Sequence, residues 1–238
     1  MPNLLEPDQL TDDQIEEVEK VSTRIVFQAL KDFLPEAAKI FKYSPDDPKD
    51  VAEDITREAL GKLPGFPIPE RIFGTMDFKR ACYAFCPHFS VRQAFLVDSK
   101  AEKDANKARL QVSQTSLRIR QQRAGQEINQ APGLPTVFRS GNHDFLVTTI
   151  FVHYHYRDSQ TQGEYKELIS VTIAALPNGR LEHLYVSSAA NTIWDAGPDA
   201  PTRGEKFRAR LNFNKLKAKR AWRVQRLYPD ASVNHWSE

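Results

Sequence analysis

Asp98 and Lys100 stand two apart in Phe95-Leu96-Val97-Asp98-Ser99-Lys100, and Asp77 lies upstream in Thr75-Met76-Asp77-Phe78-Lys79-Arg80. On a strand, residues two apart share a face, so a carboxylate and an ammonium point into one space. The apolar run Arg92 to Val97 reads as a buried strand that delivers the pair where it leaves the core. Asp77 ends a similar run, Ile72 to Met76, and Cys86-Pro87-His88 between the two reads as a turn. The spacing therefore predicts a hairpin that sets Asp77 beside Asp98. Two carboxylates and a lysine at one point suit a hard divalent cation such as Mg²⁺, with a water next to a phosphate. Asp-x-Lys alone also describes a strand end with a solvated ion pair, so the reading rests on what surrounds it.

The surrounding elements are read from their signals. Thr11-Asp12-Asp13-Gln14 is a capping box, and Ile15, Val18, Ser22, Ile25, Val26, Ala29, Leu30 and Phe33 follow at helical spacing. That helix is expected to run to about Phe41, bent or divided at Pro35. Asp47-Pro48 opens a second helix, with Val51, Ala52, Ile55, Ala59 and Leu60 as its apolar stripe and Glu53 and Asp54 on it. Ala101 to Gln122, rich in Ala, Lys, Arg, Gln and Leu, reads as a helix after the Asp98 strand, and Ala124 to Asn142 as a loop. Leu146 to Tyr156 is the clearest strand, Tyr165 to Leu176 a second, and Asn178-Gly179 a tight turn. Ser187 to Pro201 reads as a loop, Lys206 to Phe213 as a strand and Lys215 to Leu227 as a helix. The expected class is α/β (α+β): one domain over residues 1–238, with a mixed central sheet flanked by helices.

Hydrophobic content of 40% over 238 residues supports such a core. No apolar run is long enough to span a membrane and Met1-Pro2-Asn3 opens no signal pattern, which implies a cytoplasmic protein without membrane partners. Cys82 and Cys86 have no second pair to complete a metal site and read as reduced thiols. Net charge is only +2, but its distribution is uneven. Met1 to Leu60 holds 15 acids and 7 bases, whereas Arg203 to Arg226 holds 10 bases and one acid. The second stretch suits a polyanion.

Within it, Phe207, Ala209, Leu211 and Phe213 alternate with Arg208, Arg210 and Asn212. A core on one side and an Arg-Arg-Asn row on the other can present guanidinium forks to guanine edges and an amide to adenine. Lys215, Lys217, Lys219, Arg220 and Arg223 read as phosphate contacts; the competing reading for both groups is a solvated basic face. His153 and His155 share a strand face, but no third ligand has metal-site spacing.

Several stretches together resemble the SfiI-type type II restriction endonucleases of the PD-(D/E)xK nuclease superfamily. They are Glu17-Val18-Glu19-Lys20, Ile25-Val26-Phe27-Gln28-Ala29-Leu30, Val51-Ala52-Glu53-Asp54-Ile55-Thr56, Asp77-Phe78-Lys79-Arg80, Leu96-Val97-Asp98-Ser99-Lys100, Ile150-Phe151-Val152-His153-Tyr154, Tyr165-Lys166-Glu167-Leu168 and Arg203-Gly204-Glu205. They run in the family's order from Glu17 to Leu227. The chain departs from it around Arg120 to Asn142 and in a shorter C-terminal end, and Met76 stands where the strict motif has proline. The resemblance implies Asp77 and Asp98 as the catalytic acids and Lys100 as the lysine. It also implies an Arg-x-Arg strand, here Arg208 and Arg210, used against GGCC half-sites.

The combined expectation is a Mg²⁺-dependent endonuclease acting on double-stranded DNA as a homodimer or homotetramer, in a bacterial cytoplasm. Asp77, Asp98 and the Ser99 carbonyl would hold the metal, Lys100 would serve the attacking water, and Glu53 would reach the site through water. Arg208, Arg210 and Asn212 would read bases, while Lys215, Lys217 and Arg220 hold phosphates. Two alternatives stand beside it: a structure-selective nuclease of the junction-resolvase type, and a DNA-binding protein with a decayed site.

Overall fold

The computed structural model describes residues 5–62, 70–71, 82–85, 91–123, 125–195 and 209–238. Asp77, the run Ile72 to Met76, the turn at Cys86-Pro87-His88, Phe207 and Arg208 lie outside them.

Helix α1, Asp12–Tyr43, starts on the capping box, in which the Gln14 amide donates to Thr11 and the Gln14 side chain accepts from the Thr11 amide. It continues through Pro35 without dividing and ends at Tyr43, just past the expected Phe41. Helix α2, Pro48–Gly61, is capped by Asp47, whose carboxylate accepts from the Lys49 amide at 2.8 Å. The strands are β1 Glu70–Arg71, β2 Cys82–Phe85, β3 Gln93–Glu102, β4 Lys107–Leu110, β5 Ile119–Arg123 and β6 Gln126–Gln130. They continue as β7 Val137–Ser140, β8 His143–Asp158, β9 Lys166–Leu176, β10 Trp194–Asp195, β11 Ala209–Asn212 and β12 Val224–Leu227. Two short helices complete the described fold, α3 Glu182–Tyr185 and α4 Phe213–Lys219.

The central sheet has the order β1-β2-β3-β8-β9-β12, with β7 also paired to β8. Among the described strands of this sheet only β3 and β8 run parallel and the other pairs are antiparallel, so the sheet is mixed as expected. One face packs on α1 and α2 through Phe95, Val97, Ile150, Val152, Tyr154, Val171 and Ile173. The other carries Phe151 and Ala174 against a small β10-β11-β4 sheet and α4. Among the described residues no helix is long and apolar enough to cross a membrane.

The hairpin expected from the run Ile72 to Met76 falls outside the described residues, within which β3 pairs with Cys82–Phe85. Three expectations need correction. Ala101 to Gln122 is not a helix: it finishes β3, then forms β4, a 3-10 turn at Val112–Gln114, and β5. Helix-forming composition lost here to burial with a period of two, since Ala108, Leu110, Leu117 and Ile119 are all fully buried. The expected loop after it carries β6 and β7, so the parallel β3-to-β8 connection is made of strands where a helix is usual. Finally, the helix expected over Lys215 to Leu227 ends at Lys219 and gives way to β12, which pairs with β9.

Candidate active site

Strand β3 is buried from Gln93 through Ser99 and emerges at Lys100, so the acid and the base straddle the edge of the core. Val97 and Ser99 face the helical layer, while Asp98 and Lys100 face the other way. The Lys100 ammonium lies 2.8 Å from Asp98 Oδ2, with Asp98 nearly buried and Lys100 about a fifth exposed. The Gln114 side-chain amide, from the turn after β4, donates to the same oxygen at 3.1 Å. Both contacts fall on Oδ2, and none of the described contacts uses Oδ1. A buried carboxylate oriented by donors on one oxygen is suited to offer the other to a hard cation. Asp77, the second acid of the sequence motif, is outside the described residues. Among those residues no group of three or more His, Cys, Asp or Glu converges.

On the helical side a chain of hydroxyls fixes the strand end. Ser99 Oγ donates to Thr56 Oγ1 at 2.7 Å, Thr56 lies 2.8 Å from the Tyr154 hydroxyl, and Thr56 is also 3.0 Å from the Ala52 carbonyl. Burial pushes the Tyr154 phenol above its usual range, so it stays a neutral hydrogen-bonding group. The chain ties α2 to β3 beside the acid. Glu53 sits one turn before Thr56 on α2, the helix that meets the Ser99 face of β3. Among the described residues, Asp98 is held by Lys100 and Gln114.

His153 pairs in register with Lys100 across the parallel ladder and shares its face. It is fully buried, with Glu102 at 3.6 Å from Nε2 and the Phe213 ring edge-on at 5.3 Å. Burial, then His153 and Arg226, lowers the pKa of His155.

The small sheet carries the basic face. Ala209 and Leu211 point into the core, and Arg210 stands between Arg109 of β4 and Asp195 of β10 in register. Asn212 likewise pairs with Lys107. Lys107 and Arg109 escaped the sequence reading because it placed them on a helix. Two arginines directly opposite repel each other, an arrangement that costs stability unless an anion joins them. Arg109 has a weak tie to Glu102 at 3.7 Å, and among the described residues Arg210 has no ion pair or hydrogen bond.

The neighbouring polar groups are used by the fold instead. Asn212 caps α4 by accepting from the Lys215 amide at 3.0 Å, and its own amide donates to Asp195 at 2.8 Å. Lys215 binds Asp195 at 2.7 Å and Lys107 binds it at 3.1 Å. Burial raises the Asp195 pKa, but hydrogen bonds from Lys215, Asn212 and Lys107 outweigh it and hold the carboxyl below its usual range. Arg220 pairs with Glu16 at 3.3 Å. Lys217 is exposed without a described partner. Arg223, expected on phosphate, is fully buried and bound to Glu19 at 2.7 Å. Asn212, Lys215, Arg220 and Arg223 are thus held by internal contacts; Arg210 and Lys217 are not.

Residues 30–227 match the family model of the type II restriction enzyme SfiI. The type II restriction enzyme SfiI of Streptomyces fimbriatus is 34% identical over 239 aligned positions, covering 95% of this chain and 89% of that one. Among solved structures, tetrameric restriction endonuclease SfiI bound to cognate DNA superposes with a TM-score of 0.82 at 33% identity, over 94% of this chain and 87% of that one. Restriction endonuclease BglI bound to its DNA recognition sequence superposes with a TM-score of 0.74 over 91% of each chain, and at 17% identity that likeness shows the fold alone.

Proposed function

The chain belongs to the SfiI family of type II restriction enzymes, and from that premise we propose that it makes Mg²⁺-dependent double-strand cuts in DNA at a GC-rich palindrome, continuous or interrupted, with GGCC-like half-sites. The observation that carries the chemistry is the Asp98–Lys100 pair at the mouth of the core. Asp98, Asp77 and the Ser99 carbonyl would hold the metal through hard oxygen donors. A divalent cation bound there neutralises phosphate charge and makes a nearby water more acidic. Lys100, freed from Asp98, orients the water or meets charge building on the phosphate. Glu53 would reach the site through water. Arg210, joined by Arg208, takes guanine edges, and Lys217 takes phosphate. Asn212, Lys215 and Arg220 reach DNA only by leaving the internal partners described above.

A duplex palindrome is two-fold, so two copies at least must meet it. The SfiI relative is tetrameric on cognate DNA, and this chain is read as a homodimer or homotetramer in a bacterial cytoplasm. Incubation with phage DNA and Mg²⁺ should give discrete fragments, and excess chelator should abolish them. A smear, or cutting confined to branched DNA, would favour a structure-selective nuclease; intact DNA that is still bound would favour a decayed site.

A further inference from the structure

The turn Val112–Gln114 touches the acid, and no motif of the sequence reading included it. We infer that Gln114 is a positioning residue of the cleavage site, holding Asp98 so that its Oδ1 is presented to the metal. This rests on the assignment of Asp98 as a metal ligand. The orientation of the Gln114 amide follows from its two contacts. Its Oε1 accepts from the Gln111 backbone N–H at 2.9 Å. A backbone N–H can only donate, so the opposite end of the side chain, facing Asp98 Oδ2 at 3.1 Å, is the NH₂ group.

The turn itself is clamped. Gly133 N donates to the Val112 carbonyl at 2.9 Å, and Leu134 N donates to the Thr115 carbonyl at 3.0 Å. A Cβ on Gly133 would meet Ser113 Cα at 2.6 Å, a backbone contact that cannot give way without moving the turn. Buried Thr115 accepts from the Leu117 amide at 2.9 Å and fixes the exit. The turn from Gln111 to Leu117, clamped by Gly133 and Leu134, thus acts as a mount for one hydrogen bond to Asp98. Hydrogen bonds to metal-bound carboxylates set their orientation, and losing one typically costs about 10–100-fold in metal affinity or activity.

Three variants test this with two readouts, single-turnover cleavage of the mapped site and calorimetric titration of Ca²⁺ into the protein–duplex complex. Gln114→Met removes both hydrogen bonds at similar length. Gln114→Glu keeps the acceptor for Gln111 and removes the donor to Asp98. Gly133→Ala leaves the glutamine but displaces its mount. Gln114→Met and Gly133→Ala should weaken Ca²⁺ binding about tenfold or more, with metal-free DNA binding and the unfolding midpoint of Gln114→Met near wild type. Gln114→Glu should cleave at least about tenfold more slowly. If Gln114→Glu cleaves like wild type, the glutamine only caps its turn and the inference fails. It fails equally if Gln114→Met binds Ca²⁺ with wild-type affinity. Asp98→Ala separates the two levels: if that variant still cleaves, the site assignment itself is wrong.

Discussion

Two buried charged clusters among the described residues, at Arg223 and at Asp98, are built in opposite ways. At Arg223 every branch of the guanidinium is used: Nη2 on Glu19 at 2.7 Å and Glu16 at 3.1 Å, Nε on the Tyr185 hydroxyl at 2.6 Å, and Nη1 on the Ala175 carbonyl at 3.3 Å. Glu19 in turn accepts from the Asn178 amide at 2.7 Å. This cluster ties α1 to β9 and to the segment before β12; Arg223 and Glu19 are closed to solvent, with Glu16 at the rim. At Asp98 both donors crowd one oxygen, and Lys100 uses one of its three protons on a side chain that is 19% exposed. A buried charge with every branch engaged holds elements together; one with an oxygen to spare, at the edge of the core, has room for a ligand.

That contrast can be broken by substitution. Asp98→Asn should lower cleavage by about three orders of magnitude, or ~4 kcal/mol of barrier, because it removes the charge proposed to hold the metal. Its unfolding midpoint should stay near wild type, and a fall in stability matching the loss of activity would erase the distinction. Arg223→Met should do the reverse. It strands Glu19 and Glu16 in the interior and should cost about 3–5 kcal/mol in denaturant unfolding. Its cleavage rate per folded molecule in the cold should be preserved.

The exposed cations give smaller effects. Arg210→Ala should lose roughly 1–3 kcal/mol on the cognate duplex and little on random DNA. Lys217→Ala should weaken both equally and reduce the salt slope by about one. Titrations on the two duplexes at two salt concentrations separate these outcomes; equal losses for Arg210→Ala would make it a mere phosphate contact. The smallest effect is in acid. Burial raises the Glu16 pKa, but Arg223, Tyr185 and Arg220 outweigh it and hold the carboxyl below its usual value. A depressed folded value means its stabilisation is present above the ordinary 4.5 and is lost as pH falls through the folded value. Unfolding of Glu16→Gln should therefore show a flatter decline on the acid side than wild type.

What the sequence revealed follows from the range of the interactions. Caps at Thr11 and Asp47 and the β-branched runs of β8 and β9 are local signals, and the elements stand where those signals put them. The Asp98–Lys100 pair was legible because period two is a local rule. Gln114 was not, since a neutral side chain in a polar stretch has no signature until a turn folds it onto an acid 16 residues away. Arg223 was misread for the same reason: its acids lie more than 200 positions earlier, and a basic residue among basic neighbours looks solvated. The misread helix over Ala101 to Gln122 hid Lys107 and Arg109, whose place beside β11 is a fact of pairing, not of composition.

On the proposed function, chemistry resides at the Asp98 cluster and stability at the Arg223 cluster. The most direct test of that division measures Asp98→Asn and Arg223→Met side by side, each for single-turnover cleavage of the mapped site in saturating Mg²⁺ and for denaturant unfolding. The expected results are crossed: Asp98→Asn inactive with wild-type stability, Arg223→Met destabilised with wild-type cleavage while folded. Wild-type cleavage by Asp98→Asn, or loss of cleavage by folded Arg223→Met, would contradict that division.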